Sequence, residues 1–586
     1  MPDLNWSSPY ARGKAVIETF DYDGVTLLPG RMQAQVQRAR EVYSSIPNDS
    51  ILKGFRRASG LPHPGEDLRG WSKINTAKVL GQLLSGMARM GRATGDRSLW
   101  DKAEALLLGW HETVPPDGQL RMRPYDWEKL VCGLVDLHLY AGTAAALPIL
   151  AQATDWAART FDRTRRHSDN FDFWGAGPGA TQEWYTLPEN LYRAWLATGD
   201  RRYKEFGDVW LYEDYWRPLA DGSELSHVVP VHAYSHANSF SSAAMAYAVT
   251  GDARYLEISI NAYDFLQRTQ CYATGGYGPD ERFMPPDGSL GRSLELYAGH
   301  AEIPCGTWAG FKLSRYLMAC TGEARFGDWI ETMVYNAIGA ALPTEPDGRT
   351  YYYGDYRLSS GLKQHYWHEW PCCSGTYWQL MADYHNVIYF KAPGALYVNL
   401  FVPSEVTWSH DGQSVRVRQE TTYPEADTTT LHVELEGPAR FALRLRIPGW
   451  ARRASVSVNG ALQTVPIVAG QWATVDREWR AGDALTLRLP MELRMSPVDA
   501  QHPDRVAILF GPTVLAQDEA CCRRPFALAS TADLSSALVR EENDPVRFRI
   551  VDTAPERHRR FLQPLYTFPA FWPYWVYFDL REPPLY

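Results

Sequence analysis

Cysteine is scarce in this chain, with eight residues in 586. They are irregularly spaced and include two adjacent pairs, Cys372-Cys373 and Cys521-Cys522, which is not the framework of a small disulfide-bonded secreted domain. The pattern suits reduced thiols in a cytoplasmic protein. No run of lysine and arginine occurs and the net charge is −9, which argues against nucleic acid and against an anionic membrane surface as partners. No apolar stretch approaches the roughly 20 residues of a membrane span. The opening MPDLNWSSPYARGKAVIETF lacks the basic-then-apolar order of a secretory signal.

What is abundant is aromatic: 22 Trp, 33 Tyr and 21 Phe. Flat rings with a polar edge suit a sugar-binding cleft as well as a large core. A helix-closing signal recurs at Thr94-Gly95-Asp96, Thr198-Gly199-Asp200, Thr250-Gly251-Asp252 and Thr321-Gly322-Glu323. Each copy lies between Ala/Leu-rich stretches of helical spacing. Gly ends one helix in the left-handed conformation, and the acidic residue starts the next. Successive copies lie 104, 52 and 71 residues apart, so a ring of paired helices is expected rather than a single bundle. Beyond residue 390 the pattern turns to short alternating segments such as SVRVRQ, TLHVELE and FALRLRI, the signature of β-sandwich material. The expected architecture is a multidomain α+β chain: a helical catalytic body over 1–392, a β-sandwich over 393–497 and a β-rich C-terminal domain over 498–586.

Reactive residue types concentrate in YATGGYGPDERFMPPDG, LELYAGHAEIPCGTW and HYWHEWPCCSGTYW. Glu281 follows a Gly-rich loop and precedes Pro285-Pro286, a setting in which partial desolvation would raise a carboxyl pKa for general-acid work. A disulfide between Cys372 and Cys373 would be strained. Two adjacent buried thiols can simply pack, one can act as a nucleophile, or with Glu302 and Cys305 they can make a Cys₃Glu set suited to four-coordinate zinc. His365, His368 and Glu369 are open to either metal or sugar. His232 and His236, four residues apart, read as a metal pair or as histidines of a cleft or core. Cys521-Cys522 precedes two arginines with no acidic cluster nearby and reads as structural.

These residues carry a resemblance. The chain resembles the bacterial β-L-arabinofuranosidases of glycoside hydrolase family 127 nearly end to end. The match runs through LLPG at 27–30, FRRASGLP at 55–62 with Gly70-Trp71, LYRAWLATGD at 191–200 and TGGYG with Glu281. It continues through VNLFVPS at 398–404, LRIPGWA at 445–451, VNG at 458–460 and ILFGPTVLA at 508–516. The resemblance implies an (α/α)6 barrel followed by β-sandwich domains, and a zinc ion held by Glu302, Cys305, Cys372 and Cys373. It implies Cys372 as nucleophile, Glu281 as acid/base and His236 in YSHANS as a sugar contact. Glu331 in ETMVYN and Tyr353 in TYYYGD match further active-site positions. The implied reaction is retaining hydrolysis of a terminal furanoside through a thioglycosyl intermediate.

The chain departs from the family in three places. Glu302-Ile303-Pro304-Cys305 is one residue longer than the family's Glu-x-Cys. Thr181 stands where a histidine precedes Gln182-Glu183, and Trp127 in DWEKLVCGL stands where another histidine is expected. With His365 and His368, Thr181 and Trp127 are taken as substrate-facing. The two replacements imply poor action on simple β-L-arabinofuranosides and better action on a stereochemically related sugar. The alternatives are a lyase or epimerase on the same ring of helices, or a non-catalytic carbohydrate-binding protein. The expected partner is an oligosaccharide or glycoside, with a homodimer as a possible assembly.

Overall fold

The four Thr-Gly-acid corners turn helical hairpins in the computed structural model of the chain. The structure describes residues 6–68, 77–120, 122–161, 183–222, 231–295, 300–341, 348–364, 370–518, 534–551 and 560–580. At each corner the glycine is left-handed, with φ between 69° and 74°. The threonine hydroxyl donates back to the carbonyl four residues earlier, as Thr198 does to Ala194 and Thr250 to Ala246. Asp96, Asp200 and Asp252 each cap the following helix by accepting from the backbone N–H two residues on. A side-chain cap of this kind contributes about 1 kcal/mol.

The helices are α1 (Arg31–Ser45), α2 (Ala77–Thr94), α3 (Arg97–His111), α4 (Pro124–Asp136), α5 (Ala146–Thr160), α6 (Leu187–Thr198), α7 (Arg201–Val209), α8 (Ala233–Thr250), α9 (Ala253–Thr269), α10 (Pro304–Thr321), α11 (Gly327–Asn336) and α12 (Cys372–Asp383), besides the unnumbered Asn48–Ala58 and shorter ones. Helices α2, α4, α6, α8, α10 and α12 pack each on the next, and α12 returns to α2, closing a ring of six. Each inner helix is backed by the outer helix that follows it, and α12 is backed by α1 from the start of the chain. Every residue of α4 and of α12 is buried, as an inner ring requires. Arg89 bridges Asp136 and Asp383 at 2.8 Å, and Arg193 reaches Asp136 at 2.5 Å. These buried pairs tie α2, α4, α6 and α12 together at the end of α12 remote from the cysteines. Among the described residues no helix is long and apolar enough to cross a membrane.

The sandwich behind the barrel has two sheets. One runs Glu18–Thr19, Tyr389–Ala392, Ala395–Val398, Ala439–Arg446, Trp472–Trp479; the other has Gln413–Thr421 and Thr428–Leu435 at its middle. SVRVRQ alternates as its sequence demands, with Val415, Val417 and Gln419 inward and the arginines outward. Tyr389–Ala392 joins the sandwich just ahead of the expected break at 393, and residues 18–27 contribute an edge strand to each sheet. Leu493–Pro497 already pairs with Arg505–Phe510 in the C-terminal sheet.

The two β domains hold α11 at both ends. Arg446 and Trp450 of LRIPGWA reach Glu331 at 2.8 and 3.0 Å, and Arg446 also reaches Asp328. The Tyr423 hydroxyl donates to Glu331 at 2.8 Å. At the other end Asn336 bonds the Pro512 carbonyl and the Val514 N–H of ILFGPTVLA. Two motifs that marked the resemblance are therefore domain-joining devices. Glu331, expected in the active site, is a buried partner of Arg446 in this junction, and three of the roughly four acceptor sites of its carboxylate are taken by Arg446, Tyr423 and Trp450.

Candidate active site and metal centre

Two inner helices begin at the same place. Cys305 is the second residue of α10, after Pro304 at its first position, and Cys372 and Cys373 open α12 after Pro371. Adjacent residues in a first turn differ by about 100° in direction, so the vicinal pair can present two sulfurs to one point without a bond between them. Cys305 Sγ lies 3.7 Å from Cys372 Sγ and 3.4 Å from Cys373 Sγ. Both helix N-termini turn their positive ends toward the thiols, which favours thiolate.

Glu302 enters on a three-stranded sheet of His300–Glu302, Tyr353–Asp355 and Lys363–Gln364, in which Glu302 pairs with Tyr353 and Tyr353 with Gln364. Its Oε1 is 3.1 Å from Cys373 Sγ and 3.9 Å from Cys372 Sγ. The extra residue between Glu302 and Cys305 is absorbed where the strand ends and Pro304 starts the helix, so the longer spacing still converges. The Thr376 hydroxyl, one turn along α12, lies 3.2 Å from Cys305 Sγ and accepts from Gln82 at 2.6 Å. That support was not visible in the sequence.

The donor set fits a metal ion. One ligand atom from each of Glu302, Cys305, Cys372 and Cys373 lies within 4.8 Å of every other. Zinc–sulfur bonds of about 2.3 Å in a tetrahedron set sulfurs about 3.8 Å apart, close to the two separations found. Glu302 Oε2 is buried and accepts no hydrogen bond. Burial pushes the Glu302 carboxyl well above its usual range, with the Cys372 and Glu281 charges adding to it, and burial likewise raises the Cys305 and Cys373 thiols. Burial thus favours the protonated forms of these three groups, and a bound cation would reverse that preference.

Glu281 approaches from the Gly-rich loop. Gly275 and Gly278 have φ of 82° and 70°, and an added Cβ on Gly278 would stand 2.2 Å from Ala233 Cβ. Asp280 and Glu281 themselves have φ of 53° and 60°, a strained backbone in residues that are not glycine. Tyr353 donates to Glu281 Oε1 at 2.5 Å. His232 Nε2 lies 3.5 Å from Glu281 Oε2 and 3.8 Å from Glu302 Oε2, while its Nδ1 meets Glu183 at 2.5 Å. Burial disfavours the imidazolium, yet the Glu183 and Glu281 carboxylates outweigh it and hold the His232 pKa well above its ordinary value. Burial also pushes Glu281 upward, but the hydrogen bonds from His232 and Tyr353 prevail and its pKa is lowered. The expectation of a raised value is therefore corrected: two donors on the carboxylate overcome desolvation.

Of the histidine pair, His232 is the one that touches both carboxylates. His236 sits one turn deeper, its Nδ1 2.9 Å from the His232 carbonyl and 3.1 Å from the Tyr185 hydroxyl, and burial depresses its pKa to about 3. Trp127 does not reach the cluster. Its Nε1 donates to the Ala153 carbonyl and its ring packs edge-on to Phe161 and Phe206, between α4 and the outer helices. As a sugar contact Trp127 is corrected, because an apolar indole gains more by filling the inter-helix core than by lining a polar cleft. Thr181, His365 and His368 lie outside the described residues, as do Cys521 and Cys522. Glu183 followed the departed histidine in sequence, and its left-handed φ of 56° gave no sequence signal.

A family model described as Beta-L-arabinofuranosidase, GH127 catalytic domain, matches residues 24–386. The chain belongs to the GH127 β-L-arabinofuranosidase family of glycoside hydrolases. The GH127 middle-domain model matches residues 395–491, so the C-terminal sheet, whose strands begin at Leu493, lies outside both matches. The fold is similar to that of the GH127 β-arabinofuranosidase BT3674, at 18% identity, TM-score 0.74, and 98% and 99% coverage of this chain and that one. A GH127 β-L-arabinofuranosidase from Geobacillus stearothermophilus T6 is similar at 20% identity and TM-score 0.69, covering 95% and 99%. A third structure, described as a glycoside hydrolase, gives 16% identity and TM-score 0.70 over 98% of each chain. No curated protein matches the sequence.

Proposed function

We propose that this GH127 glycoside hydrolase is a retaining exo-glycosidase that removes a terminal furanose, β-L-arabinofuranose or a stereochemically related sugar, with Cys372 as nucleophile and Glu281 as acid/base. The observation that carries the reading is the difference among the thiols. Cys372 keeps 4% of its surface exposed, whereas Cys305 and Cys373 keep none, and Glu281 opens by 8%. The more exposed thiol and the carboxylate belong to one cluster, joined through His232 and Glu302.

Glu302, Cys305, Cys372 and Cys373 would hold the metal, zinc by the softness of three thiolates and one oxygen. Bound there, the ion keeps thiols deprotonated at neutral pH. Cys372 Sγ attacks the anomeric carbon; the C–S bond forms as the glycosidic C–O bond breaks, and the leaving oxygen takes a proton through Glu281, supplied by the His232 imidazolium beside it. Water then adds to the same carbon, Glu281 takes its proton, and the Cys372 sulfur leaves. Tyr353 and His232 orient the carboxylate and stand beside it to exchange protons with it.

A lyase or epimerase would use the three converging thiols only as structure, and a binding protein would have no proton for Glu281 to move. The free state of the six described cysteines suits a reducing, cytoplasmic setting for such a centre. With Trp127 in the core, only Thr181 remains as an argument for a sugar other than β-L-arabinofuranose. Turnover of a panel of aryl furanosides and pyranosides tests the substrate. Mass spectrometry of the protein quenched during turnover tests the mechanism: the expected adduct is one glycosyl unit on Cys372, and an adduct elsewhere, or hydrolysis undiminished in Cys372→Ala, would sink it.

A further inference from the structure

Besides His232 at the start of α8, the acid/base carboxylate has two supports, its own loop and Tyr353, and both of these rest on one short stretch of the C-terminal domain. In the loop, the Ala273 N–H donates to the Tyr577 hydroxyl at 2.8 Å, and the Tyr272 and Tyr577 rings pack 6.1 Å apart. Tyr577 is itself fixed, paired with Ala507 in the C-terminal sheet. On the hairpin, Gly361 and Tyr574 exchange backbone hydrogen bonds at 2.7 and 3.0 Å. Space there is so tight that a Cβ on Gly361 would lie 2.8 Å from the Tyr574 ring. The Lys363 ammonium donates to the Phe568 carbonyl at 2.7 Å, and Lys363 pairs across the hairpin with Gly354, next to Tyr353. The Thr274 hydroxyl donates to Tyr356 just past that hairpin, so loop and hairpin also lean on each other. Phe571, within the same stretch, is held at φ 55°, a strained value for a bulky residue.

We propose that residues 568–577 are a positioning element for the Glu281–Tyr353 pair, Tyr577 acting through the acid/base loop and Lys363 through the Tyr353 hairpin. The inference rests on Glu281 being the acid/base of the proposed reaction. The C-terminal domain is then part of the catalytic apparatus, although this stretch lies beyond both family-model matches. A carboxyl displaced by a fraction of an ångström still binds sugar but donates its proton poorly, so the defect should depend on how much the leaving group needs that proton.

The test compares wild type with Tyr577→Phe, which keeps the ring and removes the acceptor of the Ala273 N–H. Amide exchange over residues 273–281 and kcat/KM on aryl glycosides of graded leaving-group acidity are both measured. The expected result is faster exchange in the loop, with about a tenfold loss on a poor leaving group and no more than about a twofold loss on a very good one. Lys363→Met, which fills the same volume without the ammonium, should show the same selective loss by moving Tyr353 and guards against a folding defect in the first variant. Equal losses on both leaving groups, or unchanged loop exchange, would overturn the proposal. If wild type cleaves no glycoside in the panel, the catalytic reading of Glu281 falls. Loop exchange in Tyr577→Phe then still decides whether Tyr577 holds the loop.

Discussion

Glu302 and Glu331 are both buried carboxylates at the edges of the same barrel, and their surroundings differ in one respect. Glu331 receives Arg446 and Tyr423 on Oε1 and Trp450 on Oε2, with Arg446 further engaged by Asp328 and the Asn399 carbonyl. Glu302 has thiols beside Oε1 and accepts nothing on Oε2. A buried polar group left without a partner costs about 1–3 kcal/mol, and at Glu302 a cation held with the neighbouring thiols would remove that cost. The satisfied carboxylate joins domains; the unsatisfied one lies in a cluster that could hold a metal ion.

The largest effects should come from the unsatisfied side. Cys372→Ala is expected to lose activity by at least about 10⁴-fold while keeping a folded barrel, and Cys373→Ala to lose both activity and bound metal. Metal content by mass spectrometry, beside hydrolysis of an aryl furanoside, checks both. Full zinc occupancy in Cys373→Ala would remove the distinction drawn between the two glutamates.

Glu331→Ala probes the satisfied side. It leaves the buried Arg446 guanidinium with Asp328 and the Asn399 carbonyl, and breaking a buried pair in this way costs about 3–5 kcal/mol. Denaturant unfolding should show that loss, while kcat per folded molecule stays near wild type. A kcat that collapses with stability unchanged would return Glu331 to the active site.

The pairing of helices was legible because each corner repeats the same three residue types, and Gly, Thr and Asp act locally. The thiol cluster was legible because vicinal cysteines have few other uses. The roles of Glu331, Trp127 and His232 were not, since each depends on what long-range packing brings opposite. The histidines at 232 and 236 are alike in sequence and one helical turn apart, yet only the first faces the carboxylates. Arg446 lies 115 residues from Glu331 along the chain, and no local pattern announces such a partner.

Lys363 lies between the two extremes, with one acceptor for three donor hydrogens, and burial depresses its pKa to about 7. The unfolded chain, with a lysine pKa near 10.4, binds more protons than the folded one between these values. Stability should therefore rise with pH from about 7 to about 10 through this group, by at most about 1.4 kcal/mol per pH unit. The full penalty should remain below pH 7. Unfolding of wild type and Lys363→Met at pH 6.5 and pH 9 isolates the contribution, since the variant should lack this rise. Parallel curves would mean that the Phe568 carbonyl alone satisfies the ammonium.

The smallest effect is expected at Trp127, and it bears on which sugar is cleaved. Its indole N–H is satisfied by Ala153 and its ring is wholly buried among aromatic neighbours, so by the same criterion it belongs with Glu331 rather than with Glu302. Trp127→Phe should cost stability through a small cavity and a lost hydrogen bond, about 1–3 kcal/mol. The ratio of activities across the furanoside panel should stay within about twofold of wild type, because no atom of the indole meets substrate and a remote core change has no reason to act on one sugar more than another. A shifted ratio at unchanged metal content would show that the α4 face does read the sugar, and would restore the replaced histidine as evidence against β-L-arabinofuranose.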